Sequence, residues 1–327
     1  MQLYLFFDKA CFFHFVEKKQ GKAILFALSH HFGVGFNMEL ILSTLINGLS
    51  LGGIYAMIAL GYTMVYGIAK MLNFAHGDII MVGGYIIYVF MVTNSPILAI
   101  AMAIVGCIIL GVVVEKVAYK PLRGASPLAV LITAIGVSYL LQSLAQIIFG
   151  SANKMVTVYD FGSVSILGVP MQVSSLVTLG VTVVVMAALT VFIKCTRLGR
   201  AMVAVSEDNG AAQLMGINVN GIITITFAIG SALAALAGLF YLLKAPSISS
   251  TLGAMPGIKA FTAAVIGGIG SIPGAMLGGI LLGMVECISY KITAIAPYTD
   301  AIEFSLLIII LLVRPTGFLG KKRREKV

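Results

Sequence analysis

An amide, an imidazole and a carboxylate lie within six residues in the stretch NFAHGD, which contains Asn73, His76 and Asp78. Side chains of these types can hydrogen-bond a polar solute, carry protons or bind a metal ion. In a helix, His76 and Asp78 would be about 200° apart around the axis, so they do not converge on one metal ion. Two compatible interpretations remain: Asn73 or Asp78 caps the start of a helix, or the stretch lines a water-accessible pathway.

The chain around this stretch is far more apolar than a soluble domain. Its 327 residues are 60% hydrophobic and only 10% charged, and the mean hydropathy is +1.07. Long uncharged runs without period-2 alternation predict an all-α polytopic membrane protein rather than a β-barrel. We predict seven transmembrane helices, at about 40–66, 77–92, 96–115, 128–149, 173–194, 220–243 and 300–313.

Two segments are expected to be discontinuous. The helix after NFAHGD has about 16 residues, or about 24 Å, so it is shorter than the hydrocarbon core of about 30 Å and should begin below the membrane surface. The apolar run at about 258–290 contains GGIGSIPGAMLGG, whose six glycines and one proline disfavour a continuous helix. We predict that this run forms two short helices, as a glycine-broken or re-entrant hairpin with both ends outside.

The net charge of +9 comes from short basic clusters at the ends of apolar runs. Clusters at 116–123, 194–200 and 321–326 should all be cytoplasmic, which also places the C-terminus in the cytoplasm. This pattern indicates membrane orientation and argues against a nucleic-acid-binding patch. No Lys or Arg is expected near the middle of a span, and Glu286 and Lys291 are expected to be interface residues near the outer end of the hairpin.

Residues 1–37 mix Phe with charged side chains and lack the pattern of a signal peptide. We interpret them as an N-terminal extension of uncertain status, with Met38 as a plausible alternative start. An amphipathic segment on the membrane surface is the other interpretation. The transmembrane domain is predicted at 38–319, and a basic cytoplasmic tail follows at 320–327.

The cytoplasmic segment at about 197–218 combines polar and apolar residues in a pattern typical of a short surface helix at about 205–216 that ends at Gly216. A solvated loop is the alternative, but a helix offered to a partner fits the pattern better. The chain contains no G-x-x-x-x-G-K-[ST] phosphate-binding loop, so it cannot bind ATP by that mechanism. It also contains no Ser-His-Asp or H-E-x-x-H constellation, and we expect that it is not an enzyme.

Four stretches carry a resemblance to a known family: INGLSLGGIYAMIALGYTMVYGI, LNFAHGDIIMVGGY, RAMVAVSEDNGAAQLMGINV and AVIGGIGSIPGAMLGG. Together they resemble the integral membrane permease of branched-chain amino acid ABC importers, over about 38–319. The resemblance implies two ATP-binding cassette subunits that hold the ATP, a second homologous permease subunit and an extracytoplasmic substrate-binding protein. It also implies a location in the cell inner membrane and no cofactor bound by this chain itself.

The resemblance assigns roles to individual residues. In the family, a cytoplasmic coupling helix docks in the ATPase subunit, and the matching positions, together with two neighbouring acidic residues, are Glu207, Asp208, Gly210, Ala211, Ala212 and Gly216. The candidate residues of the translocation pathway are Asn47, Gly52, Asn73, His76, Asp78, Gly268 and Gly270. For the glycines, close helix packing is the alternative role, because glycine lets backbones approach in membranes.

Three other functions stay open at this point. Relatives with similar motifs move urea or short amides, so the resemblance does not fix the substrate. An ion-driven secondary carrier would need an ion site, for which Asp78 is the acidic candidate in the first half of the chain. A structural membrane subunit without transport is weaker, because packing alone does not require two broken segments.

Overall fold

The structure is a computed structural model that describes residues 38–91, 95–156, 158–159, 161–166 and 169–320. The expected N-terminal extension at 1–37 and all but the first residue of the basic tail lie outside the described residues. The domain boundaries therefore stay predictions.

Apolar helices make up most of the described chain, and their bounds follow the apolar runs of the sequence. The helices are α1 (Met38–Ala69), α2 (His76–Met91), α3 (Pro96–Val114), α4 (Pro127–Phe149), α5 (Val173–Cys195), α6 (Arg197–Glu207), α7 (Asn209–Leu214), α8 (Val219–Lys244), α9 (Ala254–Gly267), α10 (Ile272–Lys291) and α11 (Thr299–Val313). A π-helical segment, Glu115–Tyr119, extends α3, and short 3-10 turns cover Lys120–Leu122 and Ala296–Tyr298. The observed ends of the seven predicted helices differ from the predicted ends by at most three residues, so the predicted all-α fold is confirmed.

Within the described residues, seven helical stretches are long and apolar enough to cross a membrane, and α2 and α9 are shorter apolar helices. The predicted hairpin is present, with its break at residues 268–271. The prediction of two short helices is wrong for α10, which has 20 residues and can cross alone. Pro273 does not interrupt α10, because it lies in the first turn, where a backbone N–H is not needed.

Helix α10 continues through its glycines because the absence of side chains there lets α9 and α1 pack closely against it. A methyl group on Gly278 would collide with the backbone of Ala263 in α9, and one on Gly283 would collide with the backbone of Gly52 in α1. Glycine is used in this way in membrane helices, where backbones approach through small residues.

Helix α1 is the centre of the bundle. Its side chains from Ile54 to Leu60 are almost fully buried, and it packs against α5, α8, α9 and α10. By contrast, α4 and α11 are peripheral, with apolar side chains such as Ile147 and Leu312 exposed. Exposed side chains of this kind are suited to contact lipid or another membrane subunit.

Short strands occupy the connections between helices. Strand β1 (Lys154–Met155) pairs with β4 (Ser247–Ile248), and β2 (Ser163–Ile166) pairs with β3 (Val169–Gln172) in a hairpin before α5. The sequence did not predict these strands, but their small size leaves the all-α class unchanged.

Two contacts involve segments that the sequence predicts to be cytoplasmic. The C-terminal segment 316–320 bonds to the end of α9 through the backbone N–H groups of Phe318 and Leu319. Beyond α3, Arg123 hydrogen-bonds to Asn220 at the start of α8. These contacts agree with placing the basic clusters on the same side, and the identification of that side as cytoplasmic stays a prediction.

Candidate functional site

The loop at residues 70–75 turns back into the protein after α1. Lys70 has a φ of 58°, in the left-handed region, at the point where the chain reverses. The ring of His76 then packs against Gly61 and against Tyr62, whose ring centroid is 4.8 Å away. Gly61 is eight residues before the end of α1, or about 12 Å along the axis. Helix α2 therefore begins well inside the bundle, and its start below the membrane surface stays a prediction.

Asn73 and His76 carry buried polar atoms that have no hydrogen-bond partner among the described residues. Asn73 is 3% exposed, and its Oδ1 accepts a hydrogen bond of 2.8 Å from the hydroxyl of Tyr119, while its Nδ2 is unpaired. The Nε2 of His76 is also unpaired. The side chain of Asn73 does not cap α2, because its oxygen is used by Tyr119 instead. Unpaired buried groups of this type are costly in a static core and are suited to bind a passing polar solute or water.

Asp78 points away from this pair, towards the peripheral helix α4. Its Oδ1 accepts a hydrogen bond of 2.9 Å from Nε2 of Gln142, which also bonds to Ser138. As a first-turn residue of α2, Asp78 also interacts favourably with the helix dipole. These contacts explain how Asp78 can be buried, and they hold α2 against α4.

The two broken segments meet at one small cavity, which is mostly apolar and aromatic and contains one amide side chain. Its lining residues are Tyr62, Tyr66, Leu72, Asn73, Phe261, Ala264 and Ile269. Ile269 lies between Gly268 and Gly270, whose φ angles of 104° and 91° only glycine adopts without strain. The structure thus brings Asn73 and the 268–270 break together, as a shared pathway requires.

Asn47 and Gly52 lie apart from this cavity, in the other half of α1. Asn47 accepts a hydrogen bond of 3.0 Å from Ser175 in α5. A methyl group on Gly52 would come within 2.7 Å of the Cα atom of Ile280 in α10. Their contacts are those of helix packing, and their assignment to the pathway stays a prediction without structural support.

An ionic cluster of four charged side chains, which the sequence did not predict, joins α9, α10 and α11. The Nζ atom of Lys259 lies 3.1 Å from Glu286, 2.8 Å from Asp300 and 3.3 Å from Glu303. The hydroxyl of Tyr55 in α1 donates a hydrogen bond of 2.6 Å to Glu286.

This cluster bears on two expectations. Lys259 is only 5% exposed within the apolar helix α9, so the described helices do contain a buried lysine, which was not predicted from the sequence, and the expectation of no Lys or Arg near the middle of a span stays a prediction. Glu286 is 6% exposed and belongs to the cluster, so it is not an interface residue. The sequence contained one sign of this cluster. Asp300 and Glu303 are three residues apart at the start of an apolar helix, and acidic residues in such helices nearly always have a charged partner.

The segment that the sequence predicts to be cytoplasmic and to couple to a partner, residues 197–218 (hereafter the coupling segment), forms two helices instead of the single helix expected at about 205–216. Asp208 separates α6 from α7, and its Oδ1 accepts hydrogen bonds of 2.9 Å from the N–H of Gly210 and 3.0 Å from that of Ala211. An aspartate in this position is a strong N-cap, which favours a new helix start. Gly216 has a φ of 83°, as expected for a glycine after a helix end. Glu207 is the last residue of α6.

One surface of the coupling segment is apolar and uncovered. Ala212 is buried beneath α7, whereas Leu214 is 90% exposed and Met215 is 82% exposed. Adjacent exposed apolar side chains at the end of a short helix are typical of a protein interaction site. The surface therefore fits a partner that covers these side chains.

A bundle of apolar helices, two broken segments at one buried cavity and an uncovered apolar surface define a multi-pass membrane subunit that works with a partner. The sequence profile of the family described as "Branched-chain amino acid transport system / permease component" matches residues 44–311. The chain belongs to this family, which confirms the resemblance carried by its motifs.

Individual relatives extend this comparison over almost their whole length. The chain is 44% identical over 301 residues to the high-affinity branched-chain amino acid transport system permease protein BraD of Pseudomonas aeruginosa, covering 88% of this chain and 98% of BraD. It is 42% identical over 302 residues to the corresponding protein LivH of Escherichia coli, covering 88% of this chain and 97% of LivH. It is also 26% identical over 288 residues to the ribose import permease protein RbsC of Haemophilus influenzae, covering 85% of this chain and 86% of RbsC.

Proposed function

We propose that this chain is a permease subunit of an ATP-driven importer and forms part of the translocation pathway for branched-chain amino acids. The observation that carries the proposal is the match to BraD and LivH over nearly their full length, since both are named for this transport system. The chain itself acts without catalysis and without a cofactor of its own. It works in the cell inner membrane with its C-terminus in the cytoplasm.

The partners follow from this assignment. Two ATP-binding cassette subunits bind and hydrolyse ATP, a second homologous permease completes the pathway, and an extracytoplasmic binding protein delivers the substrate. The coupling segment is the contact with an ATPase subunit, and its uncovered Leu214 and Met215 supply the apolar part of that contact. Ala211 is exposed on the same short helix and belongs to the docking surface.

Movement of the coupling segment reaches the bundle through a direct connection. The backbone N–H of Ile217 donates a hydrogen bond of 3.0 Å to the oxygen of Ala212 in α7, and Oδ1 of the adjacent Asn218 accepts one of 3.0 Å from the N–H of Gly221 in the first turn of α8. Helix α8 packs against α1, α2 and α3. A displacement of α7 by the ATPase subunit therefore moves the helices around loop 70–75 and alternates access to its cavity.

The cavity has room for little more than one water molecule in this structure, so it must widen during the transport cycle for a zwitterion with an aliphatic side chain to pass. In the widened state its aromatic and aliphatic lining contacts the side chain, and the unpaired Nδ2 of Asn73 offers a hydrogen-bond donor to the substrate carboxylate. The one buried lysine of the described spans, Lys259, is neutralised by its carboxylate partners. It therefore does not trap the substrate carboxylate, as an unpaired cation would.

The composition of the native complex tests this proposal. We would purify the chain from its native membrane in a mild detergent by affinity and identify the accompanying proteins by mass spectrometry. We expect stoichiometric amounts of an ATPase with a phosphate-binding loop and of a second polytopic protein. Recovery of the chain alone, active in ion-driven flux, would overturn the proposal in favour of a secondary carrier.

The docking role of the coupling segment is tested by Ala211→Asp. Because Ala211 is exposed, the substitution leaves folding and membrane insertion intact, but it places a charge in an apolar contact. We expect uncoupling of ATP hydrolysis from uptake, measured in proteoliposomes. The matched control is Ala125→Asp, at an exposed position of the same face outside the coupling segment. Normal coupled uptake in Ala211→Asp, or equal losses in both variants, would contradict the docking role.

A further inference from the structure

Tyr119 links the π-helical segment after α3 to loop 70–75. Its side chain is 1% exposed, and its hydroxyl donates the hydrogen bond of 2.8 Å to Oδ1 of Asn73. Its ring packs against Phe227 in α8, with the centroids 5.3 Å apart. This is the only side-chain hydrogen bond that holds Asn73 among the described residues. The conformation of Asn73, and of the loop that precedes α2, therefore depends on the position of Tyr119.

The other end of the same π-helical segment is fixed to the start of α8. Glu115 is fully buried and forms an ion pair with Arg123. Its second oxygen accepts a hydrogen bond of 2.8 Å from the hydroxyl of Thr224, and Arg123 also bonds to Asn220. Hydrogen bonds to charged groups are stronger than those between neutral groups. The bonds to Thr224 and Asn220 therefore tie Glu115 and Arg123 to the first two turns of α8, and both residues follow these turns when they move.

We propose that Tyr119 is a positioning residue of the transport cycle, which passes a displacement of the start of α8 to Asn73 and the loop before α2. The inference rests on the proposed function, because the displacement originates in the coupling segment. That segment is tied to α8 by Asn218, whose Oδ1 accepts a hydrogen bond of 3.0 Å from the N–H of Gly221 in the first turn of α8. From there the connection runs through Glu115, the π-helical segment and the hydroxyl of Tyr119.

The π-helical geometry gives this connection two discrete arrangements. A π turn contains one residue more than an α turn, and such turns occur frequently at functional sites. If residues 115–119 return to α-helical geometry, the residues that follow rotate by about 100°, the angle per residue of an α-helix. The hydroxyl of Tyr119 then leaves Asn73, and the loop is released. Access to the cavity lined by Asn73 changes with it.

Tyr119→Phe separates this role from a purely structural one. The substitution keeps the ring and its contact with Phe227 but removes the hydroxyl. We expect an intact complex with an unchanged KM for the substrate-loaded binding protein and a maximal uptake rate lowered about tenfold. The matched control is Tyr139→Phe, since Tyr139 is 66% exposed on α4, and its uptake should equal that of the wild type.

A double-mutant cycle tests the partner. Asn73→Ala should lower the uptake rate as Tyr119→Phe does, and the double variant should be no slower than the slower single variant, because both substitutions remove the same bond. Losses that multiply in the double variant would overturn the link between these residues. Normal uptake by Tyr119→Phe would overturn the inference while leaving the proposed function intact.

Hydrogen exchange gives a readout that does not depend on uptake. In the complex with its ATPase subunits, exchange of the backbone amides at 70–78 should change when a non-hydrolysable ATP analogue binds. In Tyr119→Phe this nucleotide-dependent change should be lost, although exchange in α8 still responds. An unaltered response at 70–78 would overturn the inference. A wild-type complex without ATP-dependent uptake would instead overturn the proposed function and, with it, the role in transport assigned to Tyr119.

Discussion

Loop 70–75 and the break at 268–271 interrupt the bundle at the same cavity, but they are held in different ways. The first is held by the side-chain bond between Tyr119 and Asn73 and keeps the Nδ2 of Asn73 and the Nε2 of His76 unpaired. At the second, the N–H groups of Phe318 and Leu319 donate backbone hydrogen bonds of 2.9 Å to the end of α9. The two breaks are therefore held differently: loop 70–75, which contains no glycine, by a side-chain bond, and the glycine-containing break at 268–271 by the C-terminal segment of the chain itself.

The surroundings of the two breaks increase this difference. Next to 268–271, α9 and α10 pack closely through Gly267 and Gly274, and farther along both helices they are joined by the ionic cluster of Lys259, Glu286, Asp300 and Glu303. Beside 70–75, the chain contacts its neighbours through rings, such as Tyr62 against His76, and through the close approach of Gly77 to the backbone of Gly253. We infer that the hairpin of α9 and α10 is a fixed wall of the cavity and that loop 70–75 is the element that moves.

The largest expected effect is the loss of the hairpin's ionic cluster in Lys259→Met. The substitution removes the cation of the cluster and leaves the buried carboxylates of Glu286 and Glu303 without a counter-ion, which costs about 3–5 kcal/mol of the free energy of unfolding. Thermal or denaturant unfolding of the purified complex in detergent measures this loss. The control is Lys291→Met at the exposed end of α10, which should have little effect. Equal stability of the two variants would show that the cluster does not hold the hairpin.

A smaller effect is expected when the contact between α9 and α10 is widened by Gly278→Ala. The new methyl group meets the backbone of Ala263, so the helices must separate, at a cost of about 1–3 kcal/mol. The matched control is Gly136→Ala in α4, where no atom lies within 4 Å of the added carbon. Its free energy of unfolding should change by about 0.5 kcal/mol or less. An unchanged free energy of unfolding in Gly278→Ala would contradict the close packing of α9 against α10.

At loop 70–75, His76→Gln should affect transport more than stability. The Nε2 atom of His76 makes no hydrogen bond, so the free energy of unfolding should fall by only about 1 kcal/mol. We expect the uptake rate to fall several-fold, measured in the same preparation. The reverse pattern, with a large loss of stability and normal uptake in the surviving protein, would contradict a mobile, functional loop.

The smallest effect is expected for Asp78→Asn. The amide oxygen of Asn can still accept the hydrogen bond from Gln142, and the charge lost at the start of α2 contributes only about 1 kcal/mol or less. Uptake should remain dependent on ATP and on the binding protein. An ion-driven carrier that uses Asp78 would instead lose its coupling to the ion gradient, which a flux assay with an imposed gradient detects.

The helices could be predicted from the sequence because each coincides with an apolar run that a membrane selects. The break at 268–271 could also be located, since glycine and proline act locally on the backbone. By contrast, the continuation of α10 through Gly278 and Gly283 depends on contacts with α9 and α1, which no local pattern contains.

The candidate site was only partly predictable for the same reason. Asn73 and His76 were identified because polar residues stand out in an apolar chain. The partner of Asn73 is Tyr119, 46 residues away, and the partners of Lys259 lie on α10 and α11. Asp208 could have been recognised as a helix cap from its type alone, because Asp-Asn-Gly favours a new start. Long-range pairing of side chains required the structure.

The measurement that tests the central claim most directly is uptake of radiolabelled leucine into proteoliposomes that contain this chain with its partner subunits. We expect uptake only when ATP is present on the side of the ATPase subunits and the binding protein is on the other side. Excess isoleucine or valine should compete with leucine, and excess urea should not. Leucine uptake without ATP that follows an imposed ion gradient would contradict the account, as would ATP-dependent uptake of urea in place of leucine.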